Sequence, residues 1–263
     1  MISIFAHISF LFYAVAALLY LARLIFQKRL LSSLGRRAVL VGFLIQTVGL
    51  GIHVAKVGYP FLLQSEDSYF FSAWVLAGLF LFLNLKYRLE TAGVLFLTAL
   101  LILYSLAHLA QENYLGEKAL TLSPWASVHI VFGFLAFAVF FLSFILGLLF
   151  LFQEIQLKRK KISKVFERLP SLDVLDRLHY KALTVGFILL TLGILSGSAW
   201  AKAAKGVYFF DDPRQLWTII AWLVYAFFFQ VRFSAGWKGR RGVLLSLLGF
   251  IVIVFTFLEV RHT

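Results

Sequence analysis

Apolar runs of about 18 residues or more recur along the whole length of the chain. A helix of that length matches the ~30 Å apolar core of a bilayer, because each residue adds 1.5 Å along the axis. We therefore predict an all-α integral membrane protein with a single polytopic domain, 1–263. Its fold is a bundle of about eight transmembrane helices, at approximately 4–26, 38–56, 69–85, 92–109, 125–152, 180–201, 216–233 and 242–259.

Composition supports a membrane domain and removes several kinds of chemistry. Of the 263 residues, 62% are hydrophobic and 14% are charged, whereas a soluble domain carries about 25% charged residues. Cysteine is absent, which excludes disulfides, thiolate metal sites, iron–sulfur clusters and cysteine nucleophiles. The net charge of +13 does not indicate nucleic-acid binding, because membrane proteins concentrate Lys and Arg in their cytoplasmic loops.

The distribution of Lys and Arg predicts the orientation of the helices. Nineteen of the 25 lie in or beside the connections that follow helices 1, 3, 5 and 7, and six lie elsewhere. Since the excess of basic residues marks cytoplasmic loops, both termini and the connection between helices 6 and 7 are predicted to lie on the non-cytoplasmic side. We expect a multi-pass protein of the cell inner (cytoplasmic) membrane.

The densest basic run, 158–161, lies in the predicted cytoplasmic connection between helices 5 and 6. A flank that fixes topology is the interpretation we favour. Docking of an acidic partner or of anionic lipid is the alternative hypothesis.

Four histidines are predicted to lie toward the outer face, each in a different helix: His7, His53, His108 and His129. Ionisable groups within a bilayer are costly and mark functional sites by default. Imidazoles that converge from separate helices suit the axial positions of haem iron in an apolar, aromatic pocket. A structural role at the membrane interface explains any single one of them, so the group as a whole carries the haem hypothesis.

The predicted outer connection between helices 6 and 7, residues 197–217, mixes glycines, aromatics, three basic residues and two adjacent carboxylates. Its aromatics could form the interfacial belt that anchors helix ends, with Asp212 as the N-cap and Pro213 as the first residue of helix 7. Alternatively, the aromatic faces hold a flat apolar ring while Lys202, Lys205 or Arg214 pair with its carboxylates. Composition alone favours the belt.

Two further local patterns give structural predictions. Gly193 and Gly197 form a G-x-x-x-G spacing in helix 6, which indicates a close contact with another helix of the bundle. Glu66 and Asp67 fall in a predicted outer connection and are interpreted as solvated charges.

Four segments carry a resemblance to a known family: 122–129 (LSPWASVH), 176–181 (DRLHYK), 186–194 (GFILLTLGI) and 217–226 (WTIIAWLVYA). They resemble the cytochrome c assembly (CcsA/CcmC/HemX) family of membrane proteins. The length and helix count resemble its HemX-like short branch. The resemblance implies a haem-handling protein whose external loop of the form W-x-W-D-P holds haem, flanked by two external histidines that ligate the iron.

The match to the family loop is partial. By resemblance, His129 takes the place of the first external histidine, Trp200 keeps the upstream tryptophan, and Asp212 keeps the motif aspartate. The two motif tryptophans are replaced by Phe209 and Asp211.

Two family histidines are also replaced. The second external histidine corresponds to Gln230, and an intramembrane histidine of helix 2 corresponds to Gln46, with His53 two helical turns further on as a displaced substitute. We therefore do not expect the chain to be an enzyme on its own, although it could be a component of a haem lyase.

The prediction is a haem-handling membrane protein of cytochrome c biogenesis that binds or presents haem at the outer face. His129 and His53 are the proposed ligands of the haem iron. The remaining cofactor-binding residues are His7, His108, Trp200, Tyr208, Phe209, Phe210, Asp212, Trp217 and Trp222. Expected partners are haem, another cytochrome c assembly protein or a haem-biosynthesis enzyme, and the lipid bilayer, without nucleic acid.

Two other functions are alternatives to haem presentation. A HemX-like accessory or regulatory membrane protein that acts on a haem-biosynthesis enzyme is the alternative. A secondary transporter is less favoured, because the acidic residues lie in loops or at helix ends and no inverted repeat is evident.

Overall fold

The computed structural model describes residues 2–57, 65–87, 93–109, 124–160, 170–208 and 213–258, and these residues form eight α-helices without any strand. The helices are α1 (Ile2–Phe26), α2 (Arg29–Val57), α3 (Ser65–Tyr87), α4 (Gly93–Leu109), α5 (Pro124–Lys158), α6 (Leu172–Lys205), α7 (Pro213–Ser234) and α8 (Arg240–Leu258). The predicted all-α fold class and helix number are confirmed.

Several helices extend beyond the apolar runs that predict them. The run at 38–56 belongs to a helix that begins at Arg29, and the run at 180–201 belongs to one that begins at Leu172. The added turns of α6 are amphipathic, with Leu175 buried and an ion pair of 2.9 Å between the exposed side chains of Asp173 and Arg177, four residues apart. An apolar run thus marks the part of a helix that lipid can cover, whereas backbone hydrogen bonding continues past it.

Five of the described helices are long and apolar enough to cross a membrane: Ile4–Phe26, Arg29–Lys56, Pro124–Lys158, Leu172–Ala204 and Gln215–Ser234. Two more apolar stretches are shorter, at Tyr69–Leu85 and Gly93–Ala107. The chain is a multi-pass membrane protein, and the orientation of its termini stays a prediction.

The predicted single domain contains two compact units, Met1–Thr121 and Leu122–Thr263. In unit 1, α1 packs against α2 and α4, and α3 packs against α2 and α4. In unit 2, α5 packs along α6 and α8, and α7 packs against α8 and α6.

Buried polar side chains join the helices of unit 1. The Tyr13 hydroxyl donates to Oε1 of Gln46 at 2.8 Å, and Nε2 of Gln46 donates to the Phe70 carbonyl at 2.9 Å. Asn84 donates to the Tyr20 hydroxyl at 2.7 Å. Because water is absent from a bilayer core, such polar groups must satisfy each other within the protein. Gln46, which stands where the family resemblance places a histidine, is therefore bonded within the helix packing at both ends of its amide.

The core of unit 2 is aromatic. The rings of Phe140 and Tyr225 stack with centroids 4.2 Å apart, and both residues are fully buried. A Cβ on Gly186 of α6 would lie 3.0 Å from the Phe140 ring, so a glycine at this position lets α6 approach the ring closely. The close approach fixes α5 against α6 along the length that carries the candidate site.

Candidate functional site

His129 lies near the start of α5, and its imidazole is held by the backbone of α6. Nδ1 of His129 lies 2.7 Å from the carbonyl oxygen of Gly193. A carbonyl oxygen can only accept a hydrogen bond, so Nδ1 carries the proton in this contact. The neutral imidazole then presents its lone pair at Nε2, which makes no hydrogen bond to the described residues.

The glycines of α6 make this close approach possible. A Cβ on Gly197 would lie 2.7 Å from Nδ1 and 2.9 Å from Cε1 of His129, closer than real side chains pack. A Cβ on Gly193 would meet Phe132 and Gly133 of α5 at 3.8 Å, an ordinary contact distance. The predicted close helix contact of the G-x-x-x-G pattern is therefore present, and its partner is the start of α5.

Trp200 lies against the same imidazole. Its ring and that of His129 have centroids 6.2 Å apart, with planes inclined by 23°. Trp200 follows Gly197 by three residues, which puts both on one face of α6. The predicted upstream tryptophan and the predicted histidine are thus adjacent in space.

The first residues of the α6–α7 connection are held locally. Gly206 ends α6 with φ of 76°, a left-handed conformation that glycine adopts without strain. Nζ of Lys202 donates to the Gly206 carbonyl at 2.9 Å and lies 5.0 Å from the centroid of the exposed Tyr208 ring. The ammonium group of Lys202 is therefore held at the C-terminal end of α6, in the same turns as Trp200.

Three of the predicted loop residues, Phe209, Phe210 and Asp212, lie outside the described residues. The helix that follows them begins at Pro213, the residue expected to start it.

The two remaining predicted tryptophans pack within unit 2. Trp217 stacks on Phe255 of α8, with ring centroids 6.3 Å apart. Nε1 of Trp222 donates to Oγ1 of Thr191 at 3.0 Å, and its ring stacks on Phe187 at 5.4 Å. Trp222 lies about 14 Å along α7 from Pro213, so its described contacts join α7 to α6.

The other three predicted histidines belong to unit 1. A Cβ on Gly49 would lie 2.8 Å from Cβ of Phe5, which brings the start of α1, with His7, beside the last turns of α2, with His53. His7 is exposed and His53 is buried. The Ser9 hydroxyl lies 2.8 Å from the Tyr104 hydroxyl, so the end of α4, with the backbone of His108, is also at this end of unit 1.

Asp67 is a polar partner of His53, and its burial contradicts the prediction that it is a solvated charge. Nε2 of His53 lies 2.9 Å from Oδ2 of Asp67, and the two side chains are 9% and 7% exposed. The prediction that Asp67 is a solvated loop charge is wrong, because α3 begins at Ser65 and buries it against α2. The same hydrogen bond engages Nε2 of His53.

Gln230 also lies elsewhere than expected. It is in the last turns of α7, about 26 Å along the helix axis from Pro213. The expectation that it takes the place of an external histidine is therefore wrong, since the loop and Gln230 are at opposite ends of α7.

The motif at 176–181 forms a polar network that the sequence did not predict. Asp176 of α6 accepts hydrogen bonds from Arg232 of α7 at 2.9 and 3.4 Å, and from the Gly239 backbone N–H at 3.1 Å. The Arg232 guanidinium lies 4.2 Å from the centroid of the Tyr180 ring. The ion pair thus joins α6, α7 and the turn before α8.

His179, three residues after Asp176, is fully buried inside unit 2 and has a separate set of partners. Its Nδ1 lies 3.0 Å from the Ser143 carbonyl of α5, and its Nε2 lies 3.0 Å from the Ser246 hydroxyl of α8. Both ring nitrogens are therefore engaged, and His179 links three helices. Ser143 is about 21 Å along α5 from His129, so the two histidines belong to different sites.

Comparison with known proteins agrees with these motifs. The family model described as Cytochrome C assembly protein matches residues 62–263. The cytochrome c biogenesis protein CcsA of Guillardia theta is 29% identical over 276 residues, which cover 97% of this chain and 91% of that protein. The protein of the same name from Synechococcus sp. (strain CC9902) is 45% identical over 101 residues, 36% of this chain and 33% of that protein.

A solved structure supports the fold independently. Cytochrome c Heme Lyase CcmF matches with a TM-score of 0.68 and 14% sequence identity over 99% of this chain. The match covers 48% of the lyase chain, so this protein spans about half the length of that structure, and the likeness concerns the fold alone. Because the family model matches more than half of this chain, the chain belongs to the cytochrome c assembly protein family, as its motifs predicted.

Proposed function

We propose that the protein binds haem at the His129 end of unit 2 and presents it for the assembly of c-type cytochromes, with His129 as an axial ligand of the iron. The observation that carries this proposal is the 2.7 Å hydrogen bond from Nδ1 of His129 to the Gly193 carbonyl. It favours the tautomer whose Nε2 lone pair can bind iron. Histidine ligands commonly donate their second ring N–H to a carbonyl or carboxylate in this way.

The surroundings of the imidazole fit a haem. The Trp200 ring lies beside it, and aromatic faces suit a flat apolar macrocycle. Lys202, exposed at the end of α6, supplies a cation that could pair with a haem carboxylate. Haem would bring its own iron chemistry, and the chain would supply a ligand, an aromatic wall and a counter-charge.

The other predicted residues of the loop, and His53, have narrower roles in this proposal. Tyr208 and Trp217 flank the loop as part of an aromatic platform, with Phe209, Phe210 and Asp212 between them. His53, with Nε2 bonded to Asp67, serves the packing of unit 1 rather than iron. Location in the cell inner membrane, with this end of unit 2 facing outward, is part of the same proposal.

The test is the Soret spectrum of the purified full-length protein, with and without added haem. We expect haem to bind, His129→Ala to lose or shift the Soret band, and His129→Gly to regain it when imidazole is added. His53→Ala is the comparison variant, and its Soret band should match that of the wild type. A protein that neither copurifies with haem nor binds it, or a His129→Ala spectrum identical to the wild type, would overturn the proposal.

A deletion strain separates this function from the accessory one. Loss of c-type cytochromes is expected if the protein presents haem. Normal c-type cytochromes together with altered abundance of a haem-biosynthesis enzyme would instead favour a regulatory role.

A further inference from the structure

Basic side chains from two distant segments of unit 2 meet at the end opposite His129. They come from the last turn of α5 and the residue pair after it, and from the start of α8 about 80 residues later. The basic cluster consists of Lys158, Arg159, Lys160, Lys238, Arg240 and Arg241, all exposed.

Two contacts bring these segments together. The Glu154 carboxylate of α5 lies 2.6 Å from Nζ of Lys158 and 3.7 Å from the Arg240 guanidinium. The turn before α8 also packs on α5, since a Cβ on Gly239 would lie 3.4 Å from the Phe150 ring. The cluster is therefore one surface.

Acidic groups leave most of this charge uncompensated. The described part of unit 2 contains three acidic residues: Glu154 is bonded to the cluster, Asp173 to Arg177, and Asp176 to Arg232. Arg159, Lys160, Lys238 and Arg241 have no acidic partner among the described residues. Six cations and the single negative charge of Glu154 leave a surplus of five positive charges on this surface among the described residues, which favours the binding of an external anion.

Large apolar side chains are exposed beside these cations. Phe152 and Ile155 of α5 are 44% and 42% exposed, and Phe233 at the end of α7 is 76% exposed. These residues lie in helices that are long and apolar enough to cross a membrane. A ligand that matches both features has an anionic group with hydrocarbon attached to it.

We propose that the basic cluster binds the phosphodiester headgroup of an anionic phospholipid in the surrounding leaflet. Clusters of Lys and Arg at the ends of membrane helices recognise such headgroups. The need to fix topology explains why a loop contains basic residues. It does not explain why basic residues from two separate segments meet on one surface, where the described acidic residues are already paired. This inference is independent of haem binding.

The test is native mass spectrometry of the detergent-purified full-length protein with equimolar dioctanoyl phosphatidylglycerol and dioctanoyl phosphatidylcholine. The wild-type protein should retain phosphatidylglycerol in preference to phosphatidylcholine. Arg240→Gln with Arg241→Gln should weaken that retention about 25-fold, since each cation near a membrane surface contributes about five-fold in affinity. The charge-retaining pair Arg240→Lys with Arg241→Lys should behave like the wild type.

Arg177→Gln is the control outside the cluster: it removes one charge at the same end of unit 2, so any loss of retention should be well below that of a single cluster cation. Added salt should release the lipid from the wild-type protein, because it screens the charges. This measurement does not depend on the folding of any variant. Equal retention of the two lipids, or an Arg177→Gln loss as large as that of the double variant, overturns the proposal. So does competition by inorganic phosphate at the lipid's concentration, or binding of poly-glutamate without binding of phosphatidylglycerol, which would indicate an acidic protein partner.

Discussion

A Cβ on Gly197 would lie 2.7 Å from Nδ1 of His129, the same atom that donates to the Gly193 carbonyl. The imidazole therefore occupies space that any side chain at position 197 would take. The absence of a side chain at position 197 therefore allows the observed orientation of the His129 ring. In the proposed function, Gly197 itself does not contact haem.

Gly197→Ala should disturb haem binding while Gly193→Ala should not. The first methyl group forces the His129 ring away from the carbonyl, whereas the second meets α5 at 3.8 Å and leaves the carbonyl in place. Losing the partner that orients a ligating histidine costs about 10- to 100-fold in affinity, so haem titration should show a weakened Soret band for Gly197→Ala. Equal haem affinities for the two variants, or a larger loss for Gly193→Ala, would contradict this role.

Removing His53 should destabilise unit 1 without moving the Soret band. The variant His53→Ala leaves the buried Asp67 carboxyl without its hydrogen-bond partner, and leaving a buried polar group unsatisfied in this way costs about 1–3 kcal/mol. Asp67→Asn keeps an oxygen that can accept from Nε2, so its cost should be smaller. Unfolding in mixed dodecyl sulfate micelles, followed by circular dichroism, measures both. A shifted Soret band in His53→Ala would instead make His53 a haem ligand.

Arg232→Gln should lower the stability of unit 2 far more than Arg177→Gln. Arg232 and Asp176 have side chains 10% and 13% exposed, whereas Arg177 and Asp173 are 63% and 76% exposed. Leaving Asp176 without its cation costs about 3–5 kcal/mol, while an exposed pair contributes about 0–1 kcal/mol. The same micelle unfolding assay compares the two. Similar losses in both variants would mean that water reaches the Asp176 pair.

His179→Ala should weaken the packing of α5, α6 and α8 but leave the haem spectrum of the folded protein unchanged. The substitution empties a fully buried volume and removes hydrogen bonds to Ser143 and Ser246, a loss of roughly 2–5 kcal/mol. The thermal midpoint and the Soret band are measured on one sample. A shifted band without loss of stability would show that the two ends of unit 2 are coupled.

The sequence predicts the helices well, because burial in lipid requires long apolar runs that are visible locally. The same rule fails at helix ends. The first turns of α6 interrupt the apolar run with charged residues, and the local signs of a helix start there are Ser171 at the N-cap and Asp173 in the first turn. Asp67 was misplaced for the same reason, since the apolar run of α3 begins only after it.

Contacts between helices were the less predictable part of the candidate site. The G-x-x-x-G of Gly193 and Gly197 predicts a close helix neighbour, but the spacing does not name His129 as the group that fills the gap. The pairing of Asp176 with Arg232 joins residues 56 positions apart, and no periodicity within one helix encodes such a pair. Gln230 follows the loop by 17 residues within one continuous helix, and that length carries it to the far end of α7.

The acceptor that orients His129 is a main-chain oxygen, and this has a consequence for the tolerance of the site. A carboxylate partner can be lost by a single substitution or neutralised by acid, as the partner of His53 can. A backbone carbonyl is present whatever residue occupies position 193, and it does not titrate. The orientation of the His129 ring thus does not depend on the protonation of its acceptor or on the side chain at position 193, and it is most sensitive to substitution of Gly197.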